Sequence, residues 1–475
     1  MRALSGQGHV KSVDETYREM TSSPIAPLIV SLAIPTVISN LVTTIYNLAD
    51  TFFIGQISTS ASGAIGVAYA MMTLIQAVGF FFGQGAGNAV SRSLGGKDTE
   101  RAGIIAAVAT ASAFAGGIVI AIIGHIFLEP LCILCGATDT ILPYAETYLG
   151  IILIGAPWMA TSLVLNNLLR FEGNAFFSMV GLVSGAVLNF VLAPVLIFVC
   201  DLGIAGAGLA TITCQLLSFV LLLIGMQKAG TVRLSMANLK PTAKLFKTIA
   251  NGGLPSLLRQ VVYGFATICL NTAARPYGDA AIAGIAVVTR VVSIGNCVQI
   301  GLGQGFQPVC GYNFGARRYG RVREGFFFAV KASFVVLALM CVAAFAFAPQ
   351  IVAFLRDDPE VVAVGTATLR FQCMSLPFTG LAMITNFMLQ TTGKMWRASF
   401  LGVARLGIIL APTVMILSNA LGLFGIEMSQ SVSDAITLVI SIPMATSLLR
   451  ELARRQAKAD EKAASQESAA SRSGA

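Results

Sequence analysis

Asp50 is a carboxylate inside a long apolar run, where an ionisable side chain is costly and so a candidate for holding and releasing a proton or a small cation. Tyr46 lies one helical turn earlier on the same face, and Pro35 precedes Asp50 by 15 residues, ~22 Å along a helix. Polar residues follow soon after, at Gln56 and Ser58, so the competing reading of Asp50 is an end-cap at the interface. The same half of the chain carries Tyr148, Asn166, Asn167, Asn189, Thr211 and Gln215 deep in apolar segments. Each can line a binding site, or can serve as a helix–helix hydrogen bond worth ~0.6 kcal/mol. The second half differs in character, with Arg259, Gln260, Arg290 and Arg370 in its apolar segments and Asp434 as the only carboxylate well inside. Arg290 or Arg370 is the expected partner of Asp434, or else faces an anionic ligand.

Covalent and metal chemistry find no footing. The histidines are His9 and His125 alone, and the close cysteine pair Cys132 and Cys135 would need two further ligands to hold zinc. Most of the nine cysteines stand singly in apolar runs, where they act as small hydrophobes. There is no zinc-protease histidine pair, phosphate-binding loop or nucleophile elbow, and the glycine-rich stretches at 83–88 and 301–306 lie inside apolar segments. The chain is expected to be no enzyme and to carry no cofactor or resident metal.

What must position these residues is a set of membrane spans. Hydrophobic residues make up 56% of the 475 and charged residues 11%, too few to cover a soluble surface. Apolar runs of about 20 residues recur from near Leu28 to Leu449, each enough to cross ~30 Å of hydrocarbon. Twelve helices are expected, the first acting as its own insertion signal because no cleavable leader precedes it. The net charge of +9 follows topology: 24 of the 31 Lys and Arg fall in the tails and even-numbered connections, with Arg170 counted just past the fourth helix. Only Arg275 and Arg356 lie in odd-numbered connections, which puts both termini in the cytoplasm and argues against a nucleic-acid partner.

The chain also repeats itself. At a shift of 220, Pro35 meets Pro255, Gly83-Gln84-Gly85 meets Gly303-Gln304-Gly305, Lys97 meets Arg317, Asn166 meets Asn386 and Gly173 meets Gly393. At 219, Gly203 and Gly206 meet Gly422 and Gly425. Six helices per repeat give both copies the same orientation, and two such lobes are expected to enclose a central cavity that opens alternately to either side. The expected divisions are a cytoplasmic tail at 1–27, a first lobe at 28–227, a cytoplasmic connection at 228–247, a second lobe at 248–450, and a frayed or disordered tail at 451–475.

The stretches "YNLADTFFIG" at 46–55, "GQGAGNAVSRSLGGKDTERA" at 83–102, "NNLLRFEGN" at 166–174 and "GQGFQPVCGYNFGARRYGRVRE" at 303–324 resemble the multidrug and toxic compound extrusion (MATE) transporters, in their bacterial MepA-like branch. The resemblance runs from about Pro24 to Arg450. It implies a twelve-helix, two-lobed, all-α antiporter of the bacterial cytoplasmic (inner) membrane. Such a protein exports cationic amphipathic drugs and dyes in exchange for protons, with Na+ as the alternative ion. It further implies an ion site made of Asp50, Tyr46, Tyr148, Asn166, Asn189 and Thr211. Asn47, Gln260 and Asn386 are the expected contacts for the transported molecule, and the chain is expected to act as a monomer.

One departure stands out. In "NFVLAP" at 189–194, Ala193 occupies the position where the resemblance implies a second carboxylate. The second half also has Arg259 and Gln260 where another branch of the family carries acids, which argues against ion coupling there. The rival function is a flippase for lipid-linked precursors, which would want a cationic cavity for phosphate; Arg259, Arg290 and Arg370 keep that reading open.

Overall fold

The computed structural model describes residues 12–473, whose regular secondary structure is helical throughout. Twelve long helices build it: α1 (Ile25–Gly55), α2 (Thr59–Gly95), α3 (Thr99–Ile126), α4 (Leu142–Phe171), α5 (Ala175–Pro194) and α6 (Gly203–Lys228) in the first half. The second half holds α7 (Ala243–Ala274), α8 (Asp279–Gly315), α9 (Tyr319–Ala346), α10 (Pro359–Ser375, resuming as Thr379–Thr391), α11 (Met395–Val403, resuming as Leu410–Leu421) and α12 (Leu423–Ser473). A short helix, Val13–Ser22, precedes α1. Eleven of the twelve are long and apolar enough to cross a membrane among the described residues; the twelfth, α7, has 32 residues.

Local chemistry explains several helix ends. Asp98 caps α3 by accepting the Arg101 N–H at 3.0 Å, and Asp358 caps α10 by accepting those of Glu360 and Val361. Pro359 stands in the first turn of α10, where its missing N–H costs nothing. The helices outrun the apolar stretches: α2 and α8 have 37 residues each, ~56 Å at ~1.5 Å per residue against a ~30 Å hydrocarbon core. Two helices widen into π-turns, α5 at Val195–Val199 directly after Pro194, and α11 at Ala404–Ile409.

The repeat is visible in backbone angles. Lys97 and Arg317 both take left-handed conformations, at φ 61° and 60°, immediately after α2 and α8. Gly173 and Gly393 do so after α4 and α10, and Gly203 and Gly422, 219 residues apart, do so at the start of α6 and just before α12.

The chain folds as two compact units, and neither is an unbroken stretch. The first contains Ile34–Ser91 and Asp98–Gln260; the second contains Tyr17–Ala33, Arg92–Lys97 and the chain from Val261 onward. Thus the first turns of α1, ahead of Pro35, belong to the second unit, while the first turns of α7, around Pro255, belong to the first. The paired glycine motifs make this packing feasible. A Cβ on Gly85 would fall 2.2 Å from the Ile249 carbonyl oxygen of α7, inside the first unit. One on Gly305 would fall 2.7 Å from the Ala33 nitrogen of α1, inside the second. Backbone approaches this close tolerate only glycine.

The tail after Arg450, expected to fray, instead continues α12 to Ser473. Its Ala, Glu, Lys, Gln and Arg content is strongly helix-forming. Glu451 accepts Arg455 at 2.7 Å and Lys394 at 2.9 Å, tying the tail to the start of α11. Residues 1–11 of the expected N-terminal tail, and 474–475 of the C-terminal one, lie outside the described residues.

Candidate functional site

In the first unit α4 and α6 bring side chains beside Asp50 of α1. The residue sits five positions before the end of α1, within the helix rather than at its cap, and is only 8% exposed. Tyr46, one turn earlier, is buried beside it and interacts with it electrostatically. From α4, Tyr148 points its hydroxyl at Asp50 Oδ2 over 3.5 Å, the outer limit of a hydrogen bond. Thr211 of α6 interacts with both tyrosines. Cys214, three residues further on the same face of α6, also feels the Asp50 charge; that spacing was the signal by which it could have been found. Asn189 and Ala193 lie one turn apart on α5, both buried, and Ala193 packs in the apolar cluster that contains Tyr148, Ile54 and Ala210.

Among the described residues, Asp50 Oδ1 has no hydrogen-bond partner, and neither has Asn189 Nδ2 on α5. Buried polar atoms are nearly always paired, so the open carboxylate oxygen of Asp50 is free to accept a further donor. Every group named as facing Asp50 is neutral.

Other expected site residues are placed elsewhere. Asn166 lies 18 residues beyond Tyr148 on α4, ~27 Å along the helix, and its Nδ2 donates to the Ser178 carbonyl and hydroxyl at 3.1 and 2.6 Å. It ties α4 to α5 and does not reach Asp50. Asn386 plays the same part in the second unit, donating to the Ala398 carbonyl at 2.6 Å while Gln390 bonds its Oδ1. Asn47 is exposed, one position round the helix from Tyr46, and Gln260 is half-buried on α7. Arg170, counted by sequence in a connection, is buried at the end of α4; its Nη2 donates to Asn167 Oδ1 at 2.6 Å, an oxygen that Gln84 shares at 3.1 Å.

In the second unit the partner of Asp434 is Arg405, through Nε to Oδ1 at 2.7 Å; Ser375 donates to the other carboxylate oxygen at 3.2 Å. Arg290 is exposed, and Arg370 lies over the Phe345 ring at 5.4 Å, so neither expected partner makes the pair. Asp434 is also not the only carboxylate inside: Glu427, two turns earlier on α12, is buried as well. Cys132 and Cys135 are free thiols.

A family model described as MatE matches residues 35–195 and again 255–416, one copy in each half. Multidrug export protein MepA of Staphylococcus aureus (strain MSSA476) is 26% identical over 425 residues, spanning 89% of this chain and 94% of that protein. The protein of the same name from Staphylococcus haemolyticus (strain JCSC1435) is 27% identical over 442 residues, 92% of this chain and 97% of its own. Among solved structures, an outward-facing multidrug resistance MATE family transporter superposes with a TM-score of 0.87 at 24% identity, covering 94% of this chain and 99% of that one. A transporter from Pyrococcus furiosus, described as having a binding pocket of reversed polarity that suggests a different function, gives the same score, identity and coverage.

Proposed function

The chain belongs to the MatE family of transporters, and from that premise we propose that it exports cationic, amphipathic drugs and dyes across a bacterial cytoplasmic membrane in exchange for protons. The observation that carries the proposal is Asp50: a buried carboxylate neighboured by Tyr46, Tyr148 and Cys214, with Thr211 on the two tyrosines and no fixed cation among them. An uncompensated charge in that setting is neutralised by a proton or by a bound cation, and the two compete for one site. Exchange follows when proton and drug favour different states of the transporter, each shifting the population that the other needs.

Sodium fits less well. A bare hard cation asks for several oxygen ligands, and with Ala193 on α5 the group offers a single carboxylate. The flippase reading loses support from the arginines: Arg370 lies on Phe345, and the sequence-expected acid of the second unit already holds Arg405. The staphylococcal relatives, both described as multidrug export proteins, favour drug export.

The basic connections support cytoplasmic termini and a chain acting as a monomer is sufficient, since the Asp50 group is complete within one unit. An impermeant thiol reagent should modify a cysteine placed at Asp358 in intact cells and spare one placed in 228–247. The function itself is tested by dye efflux from expressing cells with and without a proton uncoupler. Efflux that persists under the uncoupler, or its absence alongside transbilayer movement of a labelled lipid precursor, would overturn proton-driven drug export.

A further inference from the structure

The connection after α6 is held firmly on the first unit. Glu172 Oε2 accepts the N–H groups of Thr231 and Val232 at 2.6 and 3.2 Å, and Asn174 donates to the Ala229 carbonyl at 2.7 Å. Gln227 bonds the Leu234 carbonyl at 3.0 Å, and Ser235 caps a single 3-10 turn, Met236–Asn238. So pinned, the segment roofs a groove of about 350 Å³ walled by Ala107, Ala111 and Phe114 of α3 and by Phe219 and Leu223 of α6.

The groove is apolar in a stronger sense than its residue types suggest. Two threonines line it, but each hydroxyl is spent on its own helix, Thr110 on the Ala106 carbonyl at 2.8 Å and Thr161 on that of Pro157 at 2.6 Å. The walls therefore present methyl and ring carbon, which suits a hydrocarbon chain and gives a polar ligand little to bond. Met236, in the roof, is 84% exposed, an apolar side chain on the connection that follows α6.

Charge flanks this hydrocarbon slot. Lys228, Arg233 and Lys240 are the chain neighbours of the lining residues Gln227, Leu234 and Leu239; all three are exposed and none is in an ion pair among the described residues. From Gln227 to Ala250 there are five basic residues and no acidic one. Free positive charge next to an apolar slot is the complement of an anionic lipid, in which a charged headgroup is joined to apolar chains.

We propose that this groove binds one acyl chain of an anionic phospholipid, drawn from the leaflet that the basic connections face, with Lys228, Arg233 and Lys240 holding its headgroup. The lipid fastens the connection between the repeats to the first unit.

The test uses the full chain, delipidated in detergent and offered phosphatidylglycerol or phosphatidylcholine of identical acyl chains, with bound lipid counted by native mass spectrometry. Phosphatidylglycerol should be retained at least ~10-fold more tightly, and Arg233→Gln with Lys240→Gln should weaken it by about fivefold per charge removed. Ala111→Trp, which fills the slot, should abolish retention of both lipids, while glycerol phosphate should fail to compete. Equal retention of the two lipids by the parent chain would overturn the proposal. So would competition by glycerol phosphate, which would indicate a site for free phosphate. The double Gln variant changes only exposed side chains, so the test stands even if Ala111→Trp does not fold.

Discussion

Asn166 of α4 grips Ser178 of α5 twice, through the carbonyl at 3.1 Å and the hydroxyl at 2.6 Å. The same atom of Asn386 grips the Ala398 carbonyl at 2.6 Å, 220 residues later at both ends of the bond. Recurrence in both units, one of which holds no counterpart of Asp50, marks the bond as architecture. Asn166→Ala should lower stability by about 1–3 kcal/mol, the cost of leaving buried partners unpaired, and should leave the response of export to a pH gradient intact. Thermal inactivation and dye efflux, normalised to folded protein, separate the two effects; a lost pH response at unchanged stability would return Asn166 to the ion site.

Asp50→Asn keeps the volume of the side chain and removes its charge. Tyr148 retains an acceptor at the amide oxygen, so the fold should persist at near-parental expression. Export driven by an imposed proton gradient should be abolished in vesicles. Undiminished export at matched expression would remove Asp50 from the coupling step.

Ala193 tests how many carboxylates coupling requires. Its side chain is buried in the cluster shared with Tyr148, so Ala193→Asp places a second acid in the same region of the first unit. Proton coupling and export should both strengthen, at a cost in stability because a carboxylate is buried. For the parent chain, an inward sodium gradient should not drive export. Sodium-driven export by the parent, or no effect of Ala193→Asp, would mean that position 193 does not bear on the Asp50 group.

Glu172 supplies a pH signature outside the spans. Burial pushes its carboxyl up to about 8, against the opposing pull of the Val232 and Thr231 N–H groups. The unfolded chain releases this proton near 4.5 while the folded chain keeps it, so its contribution to stability is complete below about 4.5 and is lost as pH rises toward about 8. Glu172→Gln retains an acceptor for both N–H groups and removes the titration. Its thermal midpoint should exceed that of the parent at alkaline pH and converge with it at acid pH; parallel profiles for the two proteins would refute the assignment.

The Arg405–Asp434 pair predicts a cycle. Removing either side chain alone leaves a buried charge in the second unit and should cost about 3 kcal/mol, the lower end for buried pairs because Arg405 keeps some exposure. Arg405→Met combined with Asp434→Leu should recover most of that loss and preserve export. If the double variant is as unstable as either single one and inactive, the pair has a role in transport beyond packing.

Much of this protein was legible in one dimension. Hydrophobic run length, the bias of Lys and Arg, and the spacing of Gly and Pro are local or additive properties, so twelve helices and a tandem repeat followed from them without knowledge of any contact. Asp50 was equally legible, because a carboxylate in an apolar run is costly wherever the helix packs. What the tertiary structure decided was the rotation and crossing of each helix. Arg290 and Arg370 stood as the expected partners of Asp434, yet Arg405 holds it from a π-turn at Ala404–Ile409, which shifts the face a helix presents in a way that ordinary 3.6-residue periodicity does not foresee. Asn166 and Tyr148 share α4, yet ~27 Å of helix separates them, so only one reaches Asp50. The paired Gly-Gln-Gly motifs announced a repeat, but their purpose emerged only from backbone contact, with Gly85 lying against Ile249 and Gly305 against Ala33. Polarity and periodicity are written along the chain; which face meets which depends on side chains hundreds of residues apart arriving at one place.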